Sequence, residues 1–93
     1  MNQLDQYIER VDSKETFLTF VSMLRDDWEA ERREEKVNPS SPYSSGARGW
    51  ENSTIGDFLD AAHAWADASK EKLPDAPNWK MFAEILYAGK IYE

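Results

Sequence analysis

The 93-residue sequence has no cysteine. Its absence removes disulfides, thiolate nucleophiles and thiolate-bound zinc from the possible chemistry. There is one histidine, His63, whereas a di-metal site in a helical bundle draws Glu-x-x-His pairs from facing helices. No metal and no cofactor are therefore expected. The four glycines, at 46, 49, 56 and 89, form neither a phosphate cradle nor a dinucleotide-binding fingerprint. No apolar run is long enough to span a bilayer. The start, Met1-Asn2-Gln3-Leu4-Asp5, lacks the basic segment of an export signal, so a cytoplasmic protein is the expectation. Basic side chains are also scarce, 11 against 18 acidic ones for a net charge of −7. Such a balance disfavours nucleic acid and anionic membranes, which need clustered Lys and Arg. It fits a protein partner, a basic one more readily than an acidic one, or else serves solubility alone.

What the sequence does have is helical patterning. One domain over residues 1–93 is all that this length supports. Leu4, Tyr7, Ile8 and Val11 share one face of a short helix. Asp12-Ser13-Lys14-Glu15 then has the form of a capping box with Asp12 as the cap. Phe17, Phe20, Val21, Leu24 and Trp28 follow at steps of three and four, an amphipathic stripe that Leu18 widens. From Glu29 to Lys36 the residues favour helix but lack an apolar face, so a solvated extension is expected. A long Pro-, Ser- and Gly-rich stretch covers 37–49 and is expected to be a flexible loop. Thr54 caps a further helix to about Lys70–Lys72, with Ile55, Phe58, Leu59, Ala62, Trp65 and Ala66 as its apolar face. Pro74 and Pro77 bracket a break. Asn78 and Trp79 open a last helix with Trp79, Phe82, Ala83, Ile85 and Leu86 facing the core and its end near Gly89. Ile91 and Tyr92 are expected to fold back as an apolar tail. The fold class is all-α, a small single-domain bundle of three to four helices with one long central loop.

Candidate sites are few. Glu31, Glu34 and Glu35 offer carboxylates on the solvated extension and could steer a basic partner. Tyr43 and Arg48 lie in the loop, and Trp50 stands at its junction with the following helix. Trp50 is expected either to pin the loop to the body or to anchor a partner, as interface aromatics do. His63 and Asp67 stand at helical spacing, which local charge pairing explains. No nucleophile is paired with a base, so no catalytic residue is assigned.

The run Trp50-Glu51-Asn52-Ser53-Thr54-Ile55-Gly56-Asp57-Phe58-Leu59-Asp60-Ala61, then Trp65, the run from Trp79 to Ala88, and Ile91-Tyr92-Glu93 resemble an uncharacterised family of small acidic bacterial proteins. The Trp-Glu-Asn and Trp-x-x-Phe-Ala motifs carry the likeness. The resemblance implies a compact single domain and no assigned activity. The functional expectation is a non-catalytic intracellular protein-binding module, an immunity or antitoxin-like factor being one form of it. The alternative is a small-ligand-binding protein or enzyme with a pocket near the central loop and C-terminal helices. A homo-oligomer is a third possibility.

Overall fold

A computed structural model describes residues 3–40 and 46–93. They form α1 (Gln3–Ile8), α2 (Lys14–Val37), α3 (Ile55–Ala68) and α4 (Trp79–Ile91), with no strand among the described residues. Helix α4 is the hub. It packs against each of the other three, α1 also packs on α2, and no Cα of α3 comes within 8 Å of one in α2 or α1.

Each helix start has a local cause. Ser13, not Asp12, caps α2: its Oγ accepts from the Thr16 amide at 3.2 Å, and the Ser13 amide donates to Thr16 Oγ1 at 3.0 Å. The box is shifted by one residue from the expected register because Thr16, rather than Glu15, reaches back. Thr54 Oγ1 accepts from the Asp57 amide at 3.1 Å, as its position implies, and Asn78 Oδ1 accepts from Met81 N at 2.8 Å. Helix α3 stops at Ala68, where Ser69 N donates to Trp65 O. Helix α4 does not stop at Gly89. It runs on to Ile91, closed by Tyr92 N donating to Ala88 O at 2.8 Å.

The core consists of Leu4, Ile8 and Val11 from the N-terminal segment, Phe20 and Leu24 from α2, Trp50, and Ala83 of α4. Phe17, Trp79 and Phe82 form an aromatic triad at one end, with ring centroids 5.5–6.1 Å apart. Helix α3 approaches α4 closely through small residues. Ala61, Ala62, Ala88 and Gly89 are buried, and a Cβ on Gly89 would lie 2.7 Å from the Phe58 ring. This packing explains a difference from the sequence pattern. Helix α3 uses Phe58, Ala61 and Ala62 against its neighbour, while Ile55 and Leu59 are 81% and 60% exposed. Val21 and Leu18 of α2 are exposed for the same reason, since α3 does not close onto that side of α2.

Candidate functional site

Two polar assemblies hold the segment 46–52 to the helices. In the first, Lys90 of α4 is 1% exposed and donates from Nζ to Asp27 Oδ2 at 2.7 Å. Asp27 Oδ2 also accepts from Trp50 Nε1 at 2.9 Å, and Oδ1 from Arg48 NH1 at 3.3 Å. The Lys90 ammonium stands 5.6 Å from the Trp50 ring centroid, so the indole face shares its charge. Burial pushes the Asp27 carboxyl upward, but the hydrogen bonds from Lys90 and Trp50, the Lys90 charge and the Arg48 hydrogen bond outweigh it. The carboxyl is held below its ordinary range.

The second assembly centres on Glu31, whose side chain is fully buried. Its Oε1 accepts from the amides of Arg48 at 2.7 Å and Trp50 at 3.3 Å, and its Oε2 pairs with Arg32 NH2 at 2.6 Å. Gly46 lies so close to the carboxylate that a Cβ there would overlap it. Gly49 turns the chain with φ +83°, a conformation that suits glycine. One turn further along α2, Glu35 accepts from Ser40 N at 2.9 Å, Ser40 Oγ at 2.8 Å and Ala47 N at 3.1 Å. The Ser40 amide and hydroxyl lead in holding the Glu35 carboxyl below its ordinary range. Glu34 takes Arg48 Nε at 2.7 Å. That bond is the foremost reason the Arg48 guanidinium is held above its ordinary value.

The expectation of a solvated face for Glu31 is thus corrected. The returning chain brings its unpaired amides against α2, and the carboxylates there satisfy them. Glu34 and Glu35 are half-buried and engaged in the same way. Arg48 belongs to this latch, and Trp50 is 7% exposed, so it pins the segment rather than projecting from it. Tyr43 lies outside the described residues. His63 lines a separate shallow cleft with Asn52, Asp57 and Asp60, and Asp67 pairs with Lys70 at 3.7 Å. Among the described residues, Arg48 and Trp50 of the expected pocket therefore lie in the latch, apart from His63 and Asp67. Among the described residues no group of three or more His, Asp or Glu side chains could hold a metal ion, and no helix is long and apolar enough to cross a membrane.

Sequence reasoning takes Asp27 only as one carboxylate of an acidic, solvated helix face and does not single out Lys90. Lysine at position 90 reads as an ordinary basic residue in the last helical turn, where it complements the helix dipole. Only its neighbours show that it is buried. The Trp-Glu-Asn motif gains a role here as well. Glu51 N donates to Lys90 O at 3.0 Å, and Asn52 Nδ2 donates to the carbonyls of Gly89 at 3.2 Å and Tyr92 at 2.8 Å. This turn supplies donors to the orphan carbonyls at the end of α4.

Behind the latch lies an open seam between α2 and α3. Val21, Leu24, Trp28, Trp50, Ile55, Phe58 and Leu86 give it an apolar lining with a volume of about 500 Å³. Arg25, Glu29, Asn52, Ser53 and Thr54 complete the lining. A second cleft of about 360 Å³ lies between α1, α3 and α4, where Trp65 and Tyr87 meet the carboxylates of Asp5, Glu9 and Glu84.

An all-α domain latched by buried ion pairs, with one unclosed apolar seam, is the class of protein that these features define. The chain belongs to DUF7660, a family of unknown function, whose match spans residues 13–93. No curated protein and no solved structure matches it.

Proposed function

We propose that this chain is a non-catalytic protein-binding module whose working surface is the seam between α2 and α3, taking an apolar helix of a protein partner. The observation that carries the reading is an apolar groove whose α2 and α3 walls end in exposed Val21 and exposed Ile55. Contiguous exposed apolar surface of this kind marks interaction sites, and a groove between helices accepts an amphipathic helix through its apolar face. Glu31, Glu34 and Glu35 are occupied within the chain, so the contact is not placed on them. The net charge of −7 favours a basic partner only at long range, as summed charge does. In its narrowest form the proposal is of a cytoplasmic bacterial factor of the immunity or antitoxin kind, a reading supported by small size and acidity.

The test is affinity capture from the native host with the wild-type chain, Val21→Asp, Ile55→Asp and, as a control away from the seam, His63→Ala. Capture of one defined protein by wild type and His63→Ala, lost with both seam variants while their helical circular dichroism is kept, is the expected result. Equal capture by all four would remove the seam from the reading.

A further inference from the structure

We infer that residues 46–49 form an acid-released strap. They lie across α2 on carboxylates alone, and protonation of those carboxylates lets them swing out about Gly49 while the Trp50 side chain and the helices stay in place. The device is separate from the seam, whose lining includes Trp50 and none of these four residues.

The acceptors change in kind at Trp50. Before it, Ala47 N donates to Glu35 Oε2 at 3.1 Å, Arg48 N to Glu31 Oε1 at 2.7 Å, and the Arg48 guanidinium to Glu34 Oε1 at 2.7 Å and Asp27 Oδ1 at 3.3 Å. Each of these acceptors titrates. Beyond it, Glu51 N donates to Lys90 O, and Asn52 Nδ2 to Gly89 O and Tyr92 O. Those are backbone carbonyls, which do not titrate. Trp50 stands between the two kinds: its amide donates to Glu31, but its ring is 7% exposed and stacked 6.2 Å from Phe58, so packing holds it. Gly46-Ala47-Arg48-Gly49 has no such peg, since none of the four belongs to the core. Gly49 N donates to Gly46 O at 2.9 Å, which makes them one turn, and Gly49 at φ +83° is its hinge.

Hydrogen bonds donated to a carboxylate favour its charged form, so protonation weakens the strap's hold in return. Closure is at full strength above the ordinary carboxyl range and is lost as the pH falls through the lowered values of the closed state. Among the described residues, Asp27 faces Lys90 of α4 and Arg48 of the strap, and Glu34 faces Arg48. From α2 itself Arg32 acts on Glu31 and Glu35, and Asp26 and Arg33 line the cleft beside Asp27. Helix α1 brings only the uncharged Gln3 and Leu4 to that cleft, and no Cα of α3 comes within 8 Å of one in α2. Lys90 and Arg32 remain when the strap leaves, so Asp27 and Glu31 keep one cation each. Opening also bares the buried Glu31 carboxylate, against which Gly46 lies in the closed state.

The experiment follows the isotope-labelled full chain by NMR from about pH 7 to about pH 3, with helical circular dichroism alongside. Below about pH 4.5 the amide signals of Ala47 and Arg48 are expected to shift with one midpoint, and the heteronuclear NOE of residues 46–49 to be lost. The Trp50 indole N–H and the Glu51 amide are expected to keep theirs, and the helical signal to persist. Glu34→Ala with Glu35→Ala removes two acceptors from half-buried positions and is expected to move the midpoint to higher pH. Glu9→Gln, which removes a carboxylate paired with Lys80 outside the strap, is expected to leave it in place. A wild-type strap that stays ordered to about pH 3, or that is lost only together with the helical signal, overturns the inference. So does loss of the NOE at Glu51 or the Trp50 indole along with that of Arg48, because the hinge would then not lie at Gly49. A midpoint that the double variant leaves unmoved overturns the role of the carboxylates.

Discussion

The Lys90 ammonium lies 2.7 Å from Asp27 Oδ2 and is 1% exposed, which joins the last helix to the middle of the longest one. A buried charge of this kind is tolerated only when its partner is present, and the partner here is steadied by Trp50 Nε1. Replacing Lys90 by Met should cost about 3–5 kcal/mol, the usual penalty for breaking a buried pair from one side. Replacing both, as Lys90→Met with Asp27→Leu, should cost clearly less than the sum of the two single changes. Urea unfolding of the four proteins in a double-mutant cycle checks this. Additive costs would mean that the pair does not act as a unit.

The same carboxylate gives the fold a defined acid limb. Asp27 is held below its ordinary value of 3.8 in the folded chain, so below that value the unfolded chain binds the proton more readily. Its contribution is full above the ordinary value and is lost as the pH falls through the lowered one. Asp27→Asn should therefore lower the urea midpoint at neutral pH and flatten its decline between about pH 5 and 2. A decline as steep as that of the wild type would place the acid sensitivity elsewhere.

At Gly89 two effects oppose each other. Alanine is favoured over glycine inside a helix by up to about 1 kcal/mol. The new Cβ would lie 2.7 Å from the Phe58 ring, however, and that ring is stacked 6.2 Å from Trp50. Overpacking of this sort costs about 1–3 kcal/mol. Gly89→Ala should be net destabilising in thermal melts. A gain in Tm would show that α3 and α4 separate without cost.

Phe20 has no exposed surface, whereas Trp65 is half-buried and lines the outer cleft between α1, α3 and α4. Phe20→Ala should cost about 3–5 kcal/mol. Trp65→Ala should cost less than Phe20→Ala, although the helical pattern alone ranks both as core. Denaturant midpoints for the two variants test the order, and its reversal would mean that the α1–α3–α4 cleft closes in solution.

Local signals alone determined the four helices, the breaks at Asn38-Pro39 and between Pro74 and Pro77, and the Thr54 and Asn78 caps. Each depends on residues three or four apart, so the chain writes it without reference to its fold. The burial of Phe20, Leu24 and Ala83 was legible in the same way. The fate of Glu31, Glu35, Lys90, Ile55 and Leu59 was not. A carboxylate on a helix reads as solvated until another part of the chain brings amides to it, and Glu31 meets Arg48 and Trp50 across a separation of 17 and 19 residues. Lys90 finds Asp27 63 residues away. An apolar stripe on a helix shows that the face is to be covered but not by which neighbour. Tertiary packing turned α3 onto α4 and left the side facing α2 open, and that choice created the seam.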